Sequence, residues 1–354
     1  MPSVTVHCGH APGSLPSSMP LPFFRRHASR PTGASPEPGH RAAADEEKLA
    51  DVLRDVRRIE VRSSRLVTDV LSGGYRSTFK GMGVEFSDVR EYVEGDDPRS
   101  VDWNVTARVG RPFVKRFVEE RERTLVFVLD LQPSLAVGLG AWTPRQAAAR
   151  YAALLGRMAI ENQDRLGLVI GGGGVDTARV EISGGGRQGP HFIVPQTGGG
   201  NVLRLLQHCV ERPCSDTVDL ATLVATATAR VRRRAVVFVL SDFLQPGYEH
   251  ALALCSARHD VVCIRMWPRE RIAPPPLLLR AQAPGHRRTV LCDFADRRFR
   301  AAWLDHVDND RRRHVDALGQ SGAEGIDVEV PLEHDVPALC APLLRFLWRR
   351  EGAR

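Results

Sequence analysis

From Thr124 onward, short uninterrupted apolar runs alternate with longer stretches of helical period. The run Thr124-Leu-Val-Phe-Val-Leu-Asp130 precedes a helix over 144–162, and further runs at 166–170, 235–240, 261–266 and 326–330 alternate with helical stretches at 201–211, 218–231, 248–258, 297–318 and 336–349. Apolar runs this short, separated by helices, predict strands of a mostly parallel sheet buried on both faces. Two segments between glycine clusters, 178–182 and 191–194, read as extra strands. The expected class is therefore α/β, a Rossmann-like sheet with helices on both faces. In such sheets, sites form at the carboxyl ends of strands. That singles out Asp130 and Ser241-Asp242, each directly after an apolar run.

Upstream, the pattern changes twice. Over 45–71, Leu49, Val52, Leu53, Val56 and Ile59 recur at three- and four-residue spacing among charges, the mark of an amphipathic helical arm, stopped by Ser72-Gly73-Gly74. Residues 72–123 are glycine-punctuated and dense in both charge signs, with alternating runs such as 111–118, and predict a small β-rich module. Residues 1–44 are rich in Pro, Ser, His, Gly and Arg without periodicity and are expected to be a disordered tail. The segment has neither the apolar core nor the amphipathic helix of a targeting peptide, and Met19 offers a second start. The expected division is a tail at 1–44, a helical arm with the β-rich module at 45–123, and the α/β domain at 124–354.

Composition narrows the function. Hydrophobic residues make up 43% and charged residues 26% of the 354, which is globular usage. The formal net charge is +7, but the arginines are interleaved with acids and the runs at 230–234 and 311–313 read as solvated faces. No nucleic-acid partner is expected. None of the lysines, Lys48, Lys80 and Lys115, follows a glycine, so the chain lacks the Gly-Lys pair of a nucleotide-binding P-loop. Gly184-Gly-Gly186-Arg-Gln-Gly189 matches a dinucleotide fingerprint in letters only, because Pro190 and a strand-like run follow it instead of a helix. There is no H-E-x-x-H, no G-x-S-x-G and no zinc-spaced Cys/His cluster, and the 12 histidines are scattered and expected mostly at the surface. The 7 cysteines, an odd number without C-x-x-C, suit a reducing, cytoplasmic setting. No apolar run approaches the ~20 residues of a membrane span, so no membrane insertion is expected.

Two constellations carry chemistry. After the first strand, Asp130-Leu-Gln132-Pro-Ser134 sets an acid and short polar side chains at alternate positions, where they can converge on a hard cation such as Mg²⁺. The pattern resembles the metal-ion-dependent adhesion site of von Willebrand factor A domains, D-x-S-x-S, with Gln132 in place of the middle serine. Asp242 fits the second aspartate of that site, and Thr217, before a helix, is the candidate for its threonine. The plainer reading is that Asp130 and Ser134 cap the loop and helix that follow. The second constellation is the acidic segment 85–102. Asp96, Asp97 and Asp102 there would serve a metal-dependent hydrolase, or the interleaved arginines and acids form a network of Arg–carboxylate pairs that fixes a loop.

The string Glu85-Phe86-x-Asp88-x-Arg90-x-Tyr92-x-x-Gly95-Asp96-Asp97-x-Arg99-x-x-Asp102-Trp103-x-x-Thr106-Ala107-Arg108 resembles the signature of the bacterial family called domain of unknown function 58. The aspartate-ended strand at 124–130, Ser241-Asp242-Phe243 and Arg258-His259-Asp260-Val261 extend the resemblance over about residues 50–345. It implies a von Willebrand A-like domain preceded by the signature module. It also implies a non-catalytic interaction or adaptor protein that works with a MoxR-type AAA+ ATPase on a client protein, in assembly or maturation.

Overall fold

The computed structural model describes residues 5–7, 48–62, 84–119, 123–171, 189–214, 218–282 and 289–352. Its elements in chain order are β1 (Thr5–His7), α1 (Leu49–Arg62), β2 (Val84–Glu91), α2 (Trp103–Val109), β3 (Phe113–Glu119), β4 (Thr124–Leu129), α3 (Pro144–Asn162), β5 (Arg165–Ile170), β6 (His191–Gln196), α4 (Gly199–Glu211), α5 (Leu220–Arg230), β7 (Val236–Ser241), α6 (Glu249–Ser256), β8 (Asp260–Pro268), β9 (Leu278–Gln282), β10 (Thr289–Asp293), α7 (Arg297–Ser321), β11 (Glu324–Val330) and α8 (Val336–Gly352).

The main sheet has six strands in the order β11-β8-β7-β4-β5-β6. All neighbours are parallel except β6, which runs antiparallel to β5. Counted along the chain from β4, this is the doubly wound order 3-2-1-4-5-6, whose direction of growth reverses between the first and fourth strands, here β4 and β7.

Alternation along β4 divides the core. Leu125, Phe127 and Leu129 join one cluster with α1, α3, α4 and α8, while Val126 and Val128 join another with α5, α6 and the end of α7. α4 and α5 bury one apolar stripe each, whereas α3 is buried without a break from Ala147 to Gly156 because α1 and α4 also pack against it. The longest helix on the first face, α3, starts on a capping box in which the Thr143 hydroxyl accepts from Gln146 N–H and the Gln146 side chain accepts from Thr143 N–H. α1 docks on the same layer through Val52 and Val56 and through an ion pair, Arg150 Nη2 to Asp55 Oδ2, at 2.7 Å.

The predicted strands and helices of the α/β region that are described fall on these elements, with boundaries moved by up to three residues. α5, for example, begins at Leu220 because the Asp219 carboxylate accepts from Thr222 N–H. The segment 178–182 lies outside the described residues, as does the Gly-rich run 184–188. The sheet pairing of β9 with β10 was not expected, since these strands lack a continuous apolar run. In the expected tail, Thr5–His7 forms a strand parallel to β9, and the rest of 1–44 lies outside the described residues. Its Val4-Thr5-Val6 run, β-branched throughout, suits a strand. Within 45–123 the described β-structure is one antiparallel pair, β2 with β3, joined through a 3₁₀ turn (Pro98–Ser100) and α2. The histidines are not all at the surface: His259 and His314 are buried. Among the described residues, no helix is long and apolar enough to cross a membrane.

Candidate functional site

Asp130 leaves β4 and Asp242 leaves β7, adjacent parallel strands, so the reversal in strand order places both carboxyls at one crevice. Backbone pairing carries on to that point: Asp130 N–H donates to Leu240 O at 3.0 Å. Both aspartates are buried. Ser241 Oγ–H donates to Asp130 Oδ2 at 2.7 Å, and Gln132 N–H donates to Oδ1 at 3.1 Å. Asp242 accepts from Leu244 N–H at 3.1 Å and from the Ser134 side chain.

Burial dominates the electrostatics. It pushes the Asp130 carboxyl up to about 7, with the nearby Asp242 charge adding to the rise and the Ser241 hydroxyl opposing it. Asp242 is also raised by burial, against the hydrogen bond from Ser134. Two adjacent carboxylates out of water call for a proton or a cation between them.

The predicted site residues separate. Asp130, Ser134 and Asp242 come together. Gln132 is beside them, but its side-chain amide donates to Val218 O at 2.8 Å and so faces the start of α5. Thr217 lies outside the described residues. Two carboxylates and a hydroxyl are hard oxygen donors of the kind Mg²⁺ accepts, and an ion that keeps several of its waters can be held by so few protein ligands. Among the described residues, no group of three or more His, Cys, Asp or Glu side chains suits a metal.

Sequence reasoning missed three neighbours. Trp267, at the end of β8, donates from Nε1 to Asp242 O at 2.8 Å, and the Arg271 charge, one helical turn on, favours the ionised Asp242. Cys214 feels both Asp130 and Asp242, and burial pushes its thiol up to about 11. The strand-end rule that marks Asp130 and Asp242 applies equally to β8 and was there to be used on Trp267. Phe243 adds a local oddity: its φ is +53°, a left-handed backbone for a bulky side chain. Its ring lies 4.3 Å from that of buried His314.

The signature segment is tied up in its own architecture. Arg90 clasps Asp96 with Nη1 to Oδ2 at 2.8 Å and Nη2 to Oδ1 at 2.7 Å, holding the Asp96 carboxyl below its usual range. Val93 N–H donates to the same carboxylate, Tyr92 Oη–H donates to Asp96 O at 3.3 Å, and Gly95 takes the positive φ (+109°) that the turn needs. Asp97 caps the 3₁₀ turn through Arg99 N–H, and Asp102 caps α2 through Asn104 and Val105 N–H. Arg99 and Arg108 are exposed, and Trp103 is 73% exposed. Glu85 and Asp88 lie in β2, and their side chains fall outside the described residues.

The family model described as "Protein of unknown function DUF58" matches residues 88–313. The chain is similar to Uncharacterized protein Rv1480 of Mycobacterium tuberculosis, 31% identical over 227 residues that cover 64% of this chain and 67% of that protein. Among solved structures, an aerotolerance-related membrane protein from Bacteroides fragilis aligns at 10% identity over 66% of this chain and 100% of its own, with a TM-score of 0.38. The von Willebrand factor type A structure from Catenulispora acidiphila aligns at 10% identity over 68% of this chain and 44% of its own, with a TM-score of 0.35.

Proposed function

The chain belongs to the family described as Protein of unknown function DUF58, and on that premise we propose that it is a non-catalytic adaptor. Its strand-end face of Asp130, Gln132, Ser134 and Asp242 docks on a MoxR-type AAA+ ATPase and brings it a client protein for assembly or maturation, in the cytoplasm. The observation that carries this reading is the convergence of Asp130, Ser134 and Asp242 at the strand-order reversal. The Ser134 and Ser241 hydroxyls are engaged, on Asp242 and Asp130. The acids of the hydrolase reading are engaged as well: Asp96 holds Arg90, and Asp97 and Asp102 cap helical turns.

Asp130, Ser134 and Asp242 would hold Mg²⁺ on this face. The chemistry it supplies when bound is neutralisation of two buried carboxylates. Without it, a proton on Asp130 neutralises one of the two as pH falls below about 7.

The test is co-elution on a sizing column with the MoxR-type ATPase encoded nearest to this chain, in Mg-ATP and again in EDTA. The adaptor reading predicts a complex in Mg-ATP, and Asp130→Ala then separates the cation's part from the ATPase's own need for Mg-ATP. No complex in either buffer contradicts it. Turnover of phosphoester or peptide substrates with Mg²⁺ or Mn²⁺, lost in Asp97→Ala, would replace it with the hydrolase reading.

A further inference from the structure

β1, β9 and β10 build a small three-stranded sheet beside the main one, and the two faces of its β9–β10 pair differ. Next to the inner face, Leu279 and Phe294 are buried, and the Phe294 ring packs edge-on against Phe299 and Trp303 of α7. On the outer face Leu278 and Leu291 are 60% and 61% exposed. Strand alternation normally gives a solvent face polar residues, so bare leucines on one hairpin face mark a surface that another surface covers.

The register says which surface. Leu278 lies opposite Asp293 and Arg280 opposite Leu291, and all four are exposed. They occupy the corners of a square, with the leucines on one diagonal and the two opposite charges on the other. Arg280 makes no ion pair with the described residues. Asp293 uses Oδ1 as acceptor for Ala295 and Asp296 N–H.

Turned half-way about the leucine diagonal and laid face to face, this square meets its own complement. Each leucine falls on its equivalent, Arg280 falls on the partner's Asp293, and Asp293 on the partner's Arg280. A half-turn about the other diagonal would set Arg on Arg and Asp on Asp. We propose that the outer face of β9–β10 is covered by a second copy of this chain, on a two-fold axis along the Leu278–Leu291 diagonal, with two reciprocal Arg280–Asp293 pairs. The contact is isologous, the commonest form of dimer interface. Four residues a side are far fewer than the about 20–30 of a standard stable interface, so the dimer is weak and reversible, and salt loosens it by screening the exposed pairs.

Sedimentation velocity on the full chain between about 1 and about 300 µM tests this, a range that brackets weak interfaces. The wild type is expected to pass from monomer to dimer, less readily at high salt, and Leu291→Lys to stay monomeric. Arg280→Glu and Asp293→Lys should each weaken self-association at least about tenfold. An equimolar mixture of those two restores both opposite-charge pairs across one interface and should recover it. Because Asp293 also caps a turn, Leu291→Lys and Arg280→Glu, both at exposed positions, carry the test if Asp293→Lys misfolds. A wild type that stays monomeric throughout, or a dimer that survives both Leu291→Lys and Arg280→Glu, overturns the proposal.

Discussion

Asp55→Ala strikes the joint between the N-terminal arm and the α/β body. In the wild type the Arg150 guanidinium, its side chain only 4% exposed, donates from Nε and Nη2 to Asp55 Oδ2 at 2.9 and 2.7 Å. Its Nη1 donates to Gln146 O, and its Cζ lies 4.7 Å above the Trp142 ring, so the arginine is held on several sides. Two unit charges about 4 Å apart at an effective dielectric of about 20 attract by about 4 kcal/mol. Removing one partner of a buried pair leaves the other charge out of water without its counter-ion and costs about 3–5 kcal/mol. Asp55→Ala should therefore destabilise by about 3 kcal/mol or more, read as a lower midpoint in urea unfolding with little change in slope. The double variant Asp55→Leu/Arg150→Met, which removes both charges and keeps apolar bulk, should return to within about 1 kcal/mol of wild type or exceed it. An Asp55→Ala protein within about 1 kcal/mol of wild type would refute the reasoning.

The remaining predictions concern pH, local electrostatics and packing. Burial depresses His314 to about 4 from its ordinary 6.5, so between these values the unfolded chain binds a proton that the folded chain refuses. Stability should fall as pH drops from about 6.5 to about 4, by about 3 kcal/mol at most, and then level off. Chemical denaturation across pH should show this component gone in His314→Gln. Arg90→Ala removes the guanidinium that holds Asp96 low, so the Asp96 carboxyl should titrate closer to its ordinary value in a carbon-detected NMR titration. Gly140→Ala puts a Cβ 2.8 Å from Pro331 O, a backbone atom with little room to give. It should lower stability by about 1–3 kcal/mol in the same unfolding assay.

The sheet was legible because a strand covered on both faces must be apolar throughout: Leu125 to Leu129 reads as one run although alternate residues enter different cores. Asp130 and the pair Ser241-Asp242 were legible by position alone, as the first polar residues after such runs. What stayed hidden depends on contacts far apart in the chain. Gln132 looked like a ligand until its amide met Val218, 86 residues away. Trp267 reads as one more apolar residue of β8, and only the pairing of β7 with β8 brings its indole to Asp242 O. β9 and β10 escaped because their apolar stretches are short: Leu278-Leu279 runs straight into Arg280, and Val290-Leu291-Cys292 ends at Asp293, so neither matches the runs of the main sheet. His314 sits among arginines and aspartates on α7, a pattern that reads as solvated. It is buried because Phe243 and Tyr248 cover its ring and the Tyr248 hydroxyl meets Nδ1 at 3.1 Å.

The most direct test of the strand-end face is the affinity of the MoxR-type ATPase for the wild type and for Asp242→Ala, titrated by calorimetry in Mg-ATP. Near-ultraviolet circular dichroism checks that the variant keeps its fold. Docking through the face that Asp130, Ser134 and Asp242 build predicts at least about a tenfold loss in the variant, because buried Asp242 holds Ser134 and the Leu244 backbone in place at its centre. Equal affinity in a folded Asp242→Ala protein would place the contact elsewhere and contradict the account.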